Sequence, residues 1–83
     1  MSYVLHYAPD NASLVVRLVL EEMRLPYRTA LVDRSRSAQH GAAYKRLNPV
    51  GRIPALETPH GPVFETAAIF LWLADRHRQV VAL

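Results

Sequence analysis

Apolar and polar positions alternate along the chain in short segments that are separated by proline and by acidic or amide residues. Residues 3–7, YVLHY, form a nearly continuous apolar run, which is typical of a central strand. Pro9 and the pair Asp10–Asn11 interrupt this run, and the segment SLVVRLVLEEMRL that begins at Ser13 has the apolar periodicity of a helix. The pattern therefore predicts a strand and then a helix, with Asn11 or Ser13 as the candidate cap.

The rest of the chain adds three predicted strands and two predicted helices. Residues 27–32 read as a second strand, and residues 38–47 read as a weaker helix. Two short strands over 53–58 and 62–65 are joined across PHG as a hairpin, and a last helix covers 66–79. The order is β-α-β-α-β-β-α. A right-handed βαβ crossover makes the first two strands parallel, so the pattern predicts an α/β fold with a four-stranded mixed sheet flanked by helices.

Two of the predicted helices are more apolar than one-sided packing requires. Residues 14–20 contain one polar side chain, that of Arg17, and residues 67–74 contain none. A helix that packs on one face of a sheet needs a single apolar stripe. Because large exposed apolar patches are uncommon on monomers, we expect a further domain or a partner chain to cover these helices.

Composition excludes several classes of function. The chain has 83 residues, which indicates one domain, and it has no cysteine, which excludes disulfide scaffolds, thiolate zinc sites and CxxC redox pairs. The absence of cysteine fits a reducing compartment, and we expect a cytoplasmic protein. The eight-residue apolar run 67–74 is too short to span a bilayer.

Charge and histidine spacing add two expected absences. The net charge is +3, but no basic stripe is interleaved with aromatic residues, so the sequence does not predict nucleic-acid binding. The four histidines have no metal-ligand spacing, and we expect no metal.

Three motifs occur in a fixed order along the chain: YAPDNASLVVRLVLEE over 7–22, NPVGRIPALE over 48–57 and ETAAIFLWLAD over 65–75. With these motifs the chain resembles the N-terminal domain of a glutathione S-transferase over essentially all of its length. The resemblance implies a thioredoxin-like domain over 1–83 that binds glutathione as co-substrate. It also implies detoxification by conjugation to small electrophiles, an all-helical C-terminal domain that this chain lacks, and a homodimer.

The resemblance also implies the residues that bind glutathione. It implies a cis Ile53–Pro54 bond and pairing of the Ile53 backbone with the cysteinyl part of glutathione, as in strand addition. Glu65 and Thr66, at the start of the last helix, match the ammonium and carboxylate of the γ-glutamyl end, since a helix N-terminus favours an anion. The resemblance further implies that Arg52 reaches the glycyl carboxylate, as Lys or Gln often does at this position in the family. From the residues alone, an ordinary trans proline, a plain Thr66 cap and a solvated Arg52 stay open.

The enzyme must also stabilise the glutathione thiolate, and two hydroxyls match positions that the family uses. Ser13 lies at the start of the first helix and is the favoured candidate, although a plain helix cap explains it equally. Tyr7 lies at the end of the first strand and is the second candidate. Asn11 is close enough to donate as well. Ala12 stands where a bacterial class of the family has cysteine, so cysteine-type chemistry is not expected.

Two functions follow from these observations. One is a transferase that conjugates glutathione to a small electrophile once a C-terminal domain completes the site. The alternative is a non-catalytic glutathione-binding or protein-interaction module without transferase turnover.

Overall fold

The computed structural model describes residues 3–9 and 11–77, which form a four-stranded sheet flanked by helices. The strands are β1 (Tyr3–Tyr7), β2 (Tyr27–Leu31), β3 (Ala55–Thr58) and β4 (Gly61–Phe64). Their order in the sheet is β2-β1-β3-β4, with β1 parallel to β2 and the other two pairs antiparallel. The predicted strand order and the mixed sheet are therefore confirmed.

The described part of the chain also contains three α-helices and two 3₁₀-helices. They are α1 (Ser13–Glu22), α2 (Ala42–Lys45), α3 (Thr66–His77) and the 3₁₀ turns Arg34–Arg36 and Ala38–His40. The prediction of one helix over 38–47 was wrong, because Gly41 is extended (φ −74°, ψ 157°) and separates a 3₁₀ turn from α2. Residues 78 and 79, which the predicted last helix included, lie outside the described residues.

The helix α1 begins at Ser13 as predicted, but its cap differs from the prediction. The N-cap position is Ala12, which makes no side-chain cap hydrogen bond, so neither Asn11 nor Ser13 is the cap residue. The side chain of Asn11 still takes part, because its Oδ1 accepts a hydrogen bond from the Ser13 backbone N–H at 2.9 Å. The backbone N–H of Ser13, the first helical residue, is therefore hydrogen-bonded by the side chain of the residue that precedes the N-cap.

The hydrophobic core lies on both faces of the sheet. The larger part packs beneath α1 and α3 and consists of Tyr3, Leu5, Val16, Leu20, Met23, Leu56, Ile69 and Leu73. A smaller cluster on the other face, beside α2, contains Val32, Tyr44 and Ala55. The period of two along β3 explains this division, since Ala55 and Leu56 point to opposite faces.

Four large apolar side chains on α1 and α3 are exposed; we call them the exposed apolar set. They are Leu14, Val15, Leu18 and Leu71, with exposed fractions of 58, 46, 59 and 66%. These are the helices for which the sequence predicts a second packing partner. No helix among the described residues is both long and apolar enough to cross a membrane.

Candidate functional site

Five residues from two separate segments line one cavity of about 190 Å³, which we call the recognition cavity. They are Arg52, Ile53 and Pro54 before β3, and Glu65 and Thr66 at the start of α3. All five are the residues to which the resemblance gives a binding role. The antiparallel β3–β4 pair brings the two segments together, because Ala55 pairs with Phe64 directly beside them.

Hydrogen bonds from two buried side chains fix the loop that precedes β3. The Arg52 carbonyl accepts from Asn48 Nδ2 at 2.8 Å and from the Tyr44 hydroxyl. Asn48 Oδ1 also accepts from the Val50 N–H at 3.1 Å, and its side chain is almost fully buried. Burial raises the pKa of Tyr44, although its hydrogen bond with Asn48 acts in the opposite direction, so its hydroxyl stays protonated and able to donate.

The loop ends next to the recognition cavity, at the peptide bond that the resemblance implies to be cis. The Ile53–Pro54 peptide bond is cis. The Ile53 backbone precedes the first ladder pair of β3, which begins at Ala55. Sequence reasoning missed Tyr44 and Asn48, although the Asn48–Pro49 dipeptide is a turn signal that could have drawn attention to Asn48.

Gly51 is required by close packing within the same loop. Its φ of +77° lies in the left-handed region, and a Cβ at this position would lie 3.0 Å from the Gln39 carbonyl oxygen and 3.2 Å from His40 Nδ1. Because both conditions disfavour any side chain, glycine allows the loop to approach the 3₁₀ turn that precedes α2.

Glu65 has an unusual backbone conformation at the other side of the recognition cavity. Its φ is +75°, which is rare for a residue with a side chain, and its carbonyl accepts from the Ile69 N–H at 2.9 Å in the first turn of α3. Thr66 is the first helical residue. The exposed Glu65 carboxylate therefore lies next to the N–H groups of a helix start, and Arg52 supplies a positive charge in the same cavity.

The two candidate thiol-activating residues lie elsewhere. Tyr7 and Ser13 line a separate cavity of about 180 Å³, together with Ala8, Pro9, Leu14 and Arg17; we call it the helix cavity. Ser13 is 1% exposed. Its Oγ donates to the Ala8 carbonyl at 3.1 Å and accepts from the Ala8 N–H at 3.2 Å. The structure therefore does not place either hydroxyl in the recognition cavity.

A third cavity, of about 270 Å³, adjoins the recognition cavity and shares Arg52 and Ile53 with it. We call it the loop cavity. Its other lining residues are Asn11, Arg34, Gln39 and Gly51. Asn11 and Gln39 thus line the same cavity as two of the predicted binding residues, Arg52 and Ile53. The buried Gln39 Oε1 has no hydrogen-bond partner among the described residues.

The histidines have local partners. His6 Nε2 lies 2.6 Å from Glu57 Oε2, and the Tyr3 hydroxyl lies 2.7 Å from His77 Nε2. His6 also lines a largely apolar cavity of about 290 Å³ beside α2, away from the residues predicted to bind glutathione. Within 3–9 and 11–77, no group of three or more histidine, cysteine, aspartate or glutamate residues is arranged to hold a metal.

The sheet order and the cavity before α3 define a thioredoxin-like domain, and comparison with known proteins agrees. The family model of the glutathione S-transferase N-terminal domain matches residues 12–76. The chain belongs to the glutathione S-transferase family, of which it contains the N-terminal domain.

Two curated relatives match this chain over one segment of a longer protein. Elongation factor 1-gamma 1 of Oryza sativa subsp. japonica is 36% identical over 74 residues, which are 83% of this chain and 17% of that protein. Disulfide-bond oxidoreductase YfcG of Escherichia coli (strain K12) is 34% identical over 80 residues, 87% of this chain and 37% of that protein.

A glutathione transferase homologue from Sulfitobacter, solved with bound glutathione, superposes with a TM-score of 0.86 at 29% identity over 99% of this chain and 41% of that one. The predicted thioredoxin-like fold is thereby confirmed. This chain spans less than half the length of each of these three proteins.

Proposed function

We propose that this domain binds glutathione in the recognition cavity. The observation that carries the proposal is the placement of opposite charges around one cavity, with Glu65 beside the start of α3 and Arg52 beside Ile53. Glutathione has an ammonium and a carboxylate at its γ-glutamyl end and a second carboxylate at its glycyl end. Glu65 pairs with the ammonium, the helix start accepts the neighbouring carboxylate, and Arg52 holds the glycyl carboxylate.

The cysteinyl part lies against Ile53 in this proposal. The Ile53 N–H and C=O precede the β3 ladder, so a bound peptide pairs with them as an added strand. The buried bonds of Asn48 and Tyr44 to the Arg52 carbonyl hold the preceding residue in place. Binding to a loop that is already ordered loses little conformational entropy, which favours affinity.

The activity that follows is transfer of glutathione to a small electrophile, in a detoxification role in the cytoplasm. The exposed apolar set on α1 and α3 supports a further helical unit or a second copy that covers these helices in the whole protein. Such a unit completes the electrophile pocket. The resemblance implies that the Ser13 or the Tyr7 hydroxyl activates the thiol, and no metal is required.

A second candidate is a glutathione-binding or protein-interaction module without turnover. One observation favours it: the Ser13 hydroxyl is buried and is committed in both directions to Ala8. The names of the relatives also span an elongation factor, an oxidoreductase and a transferase. The transferase and the glutathione-binding module share glutathione binding and differ in turnover, whereas a protein-interaction module does not require glutathione.

Calorimetric titration with glutathione tests the shared step. We expect binding by the wild type and an affinity at least about tenfold lower for Glu65→Ala, because a charged hydrogen-bonding partner contributes about 1.5–3 kcal/mol. Glu22→Ala is the matched control, since it removes an exposed carboxylate from the last residue of α1, away from the cavity. A folded wild-type protein that does not bind glutathione would overturn the proposal.

A further inference from the structure

The loop cavity places a second set of polar groups beside the predicted position of the glutathione cysteine. It shares Ile53 with the recognition cavity and extends from there to Asn11 and Arg34. Asn11 belongs to the connection between β1 and α1, and Arg34 belongs to the 3₁₀ turn after β2. These two side chains therefore face the same space as Ile53, whereas Ser13 and Tyr7 line a different cavity.

The side chain of Asn11 is oriented by a backbone hydrogen bond. Its Oδ1 accepts from the Ser13 N–H at 2.9 Å, and a backbone N–H can bond only to the amide oxygen. The oxygen is thus engaged at the start of α1, and the NH₂ group is the donor end of the side chain. A donor at the beginning of a ten-residue helix also lies where the helix dipole favours negative charge.

The Arg34 guanidinium is held over the same connection. Its Nη2 donates to the Pro9 carbonyl, which fixes the positive charge close to Asn11. The neighbouring carboxylate of Asp33 has other partners: it accepts from Ser35 and lies 3.7 Å from Arg36 Nε. The guanidinium therefore keeps its charge uncompensated by Asp33.

Among residues 3–9 and 11–77, the other titratable groups found around the loop cavity are basic. Arg52 lines it, and His40 Nδ1 and Lys45 Cε lie 3.2 and 3.5 Å from the position of a Cβ on Gly51. No carboxylate is among the described residues that line this cavity. A thiol that loses its proton to solvent at this position leaves a thiolate in a positive environment, which lowers the pKa of a thiol.

We propose that Asn11 and Arg34 stabilise the thiolate of bound glutathione, Asn11 through an N–H hydrogen bond to sulfur and Arg34 through its charge. This inference rests on the proposed function, since it requires glutathione to lie against Ile53. It assigns to an amide and a guanidinium the role that the resemblance gives to a hydroxyl.

Ultraviolet titration of the thiolate of bound glutathione tests the inference. Arg34→Gln removes the charge, and Asn11→Asp keeps the oxygen that accepts from Ser13 while replacing the donor. We expect each variant to raise the pKa of the bound thiol by about half a unit to one unit, because a nearby opposite charge or a hydrogen bond favours the ionised form. Arg36→Gln, which removes an equal charge from the same 3₁₀ turn outside the cavity, should leave it unchanged.

Affinity for S-methylglutathione, which has no ionisable thiol, separates thiolate stabilisation from a role of Arg34 in holding the glycyl carboxylate. We expect Arg34→Gln to change this affinity less than about twofold, since no thiolate is present to be stabilised. If the thiol pKa were unchanged in both Arg34→Gln and Asn11→Asp, this inference would be overturned and the proposed function would stand. The same would follow if Arg34→Gln lost as much affinity for S-methylglutathione as for glutathione. No binding of glutathione by the wild type would overturn the proposed function as well.

Discussion

The recognition cavity and the helix cavity differ in how their polar groups are used. In the recognition cavity, Arg52 and Glu65 are exposed, while the backbone beneath them is fixed by buried Asn48. In the helix cavity, the Ser13 hydroxyl is itself buried and is bonded twice to Ala8. The comparison teaches that a side chain can serve a ligand only when the fold leaves some of its donor or acceptor capacity free, whatever its position in a motif.

The largest expected effect comes from removing the support of the recognition cavity. Asn48→Ala removes a buried side chain that donates to the Arg52 carbonyl and accepts from the Val50 N–H, while Tyr44 still donates to that carbonyl. We expect a loss of up to about 3 kcal/mol in the free energy of unfolding, measured in urea, because each of the two lost hydrogen bonds contributes about 0.5–1.5 kcal/mol. Glutathione affinity should fall in parallel.

Tyr44→Phe sharpens the same test because it removes one bond to the same carbonyl and keeps the ring. We expect it to lower the free energy of unfolding by about 1 kcal/mol. The free energy of unfolding could instead fall less for Asn48→Ala than for Tyr44→Phe, with normal glutathione binding by Asn48→Ala. The hydrogen bonds to the Arg52 carbonyl would then not be what fixes the loop beside the recognition cavity.

The next largest effect is expected in the helix cavity. Ser13→Ala removes the hydroxyl that both donates to and accepts from Ala8, so we expect the free energy of unfolding to fall by about 1–2 kcal/mol. The pKa of the bound glutathione thiol should stay unchanged. Ser37→Ala, at an exposed serine whose side chain makes no cap hydrogen bond, is the control for loss of a hydroxyl.

The opposite result would reverse the comparison between the two cavities. If Ser13→Ala raised the pKa of the bound thiol and left stability unchanged, the Ser13 hydroxyl would leave Ala8 for the ligand. Thiol activation would then belong to Ser13, as the resemblance implies.

The sequence predicted the fold better than it predicted the site. Apolar periodicity and proline positions are local signals, and they placed all four strands and the start of α3 correctly. The break at Gly41 was missed, because a single glycine is tolerated in many helices and its extended conformation depends on the packing of the 3₁₀ turn before it.

The site shows the same limit of local signals. Arg52, Ile53, Glu65 and their neighbours could be predicted because they lie in two contiguous motifs that a hairpin brings together. The engagement of Ser13 with Ala8, and the approach of Arg34 to Pro9 over 25 positions of sequence, arise from tertiary packing. No pattern of residue types along the chain encodes them.

Backbone strain at Glu65 gives a smaller expected effect. Glycine adopts a φ of +75° without steric cost, so Glu65→Gly should raise the free energy of unfolding by about 1 kcal/mol while glutathione affinity falls. Glu65→Gln keeps the backbone restriction and removes only the charge, so it should lose affinity without gaining stability. Equal stability of the two variants would contradict the view that the recognition cavity holds a strained residue.

The exposed apolar set should give the smallest effect within this chain. Leu18 is 59% exposed and Leu20, on the same helix, is fully buried. We expect Leu18→Ala to change the free energy of unfolding by less than about 0.5 kcal/mol, whereas Leu20→Ala should cost about 2–5 kcal/mol. A loss above 1 kcal/mol for Leu18→Ala would show that this leucine is already buried in solution. If that loss were present at high protein concentration and vanished on dilution, the exposed apolar set would be an interface between copies of the chain, since a contact between chains depends on their concentration.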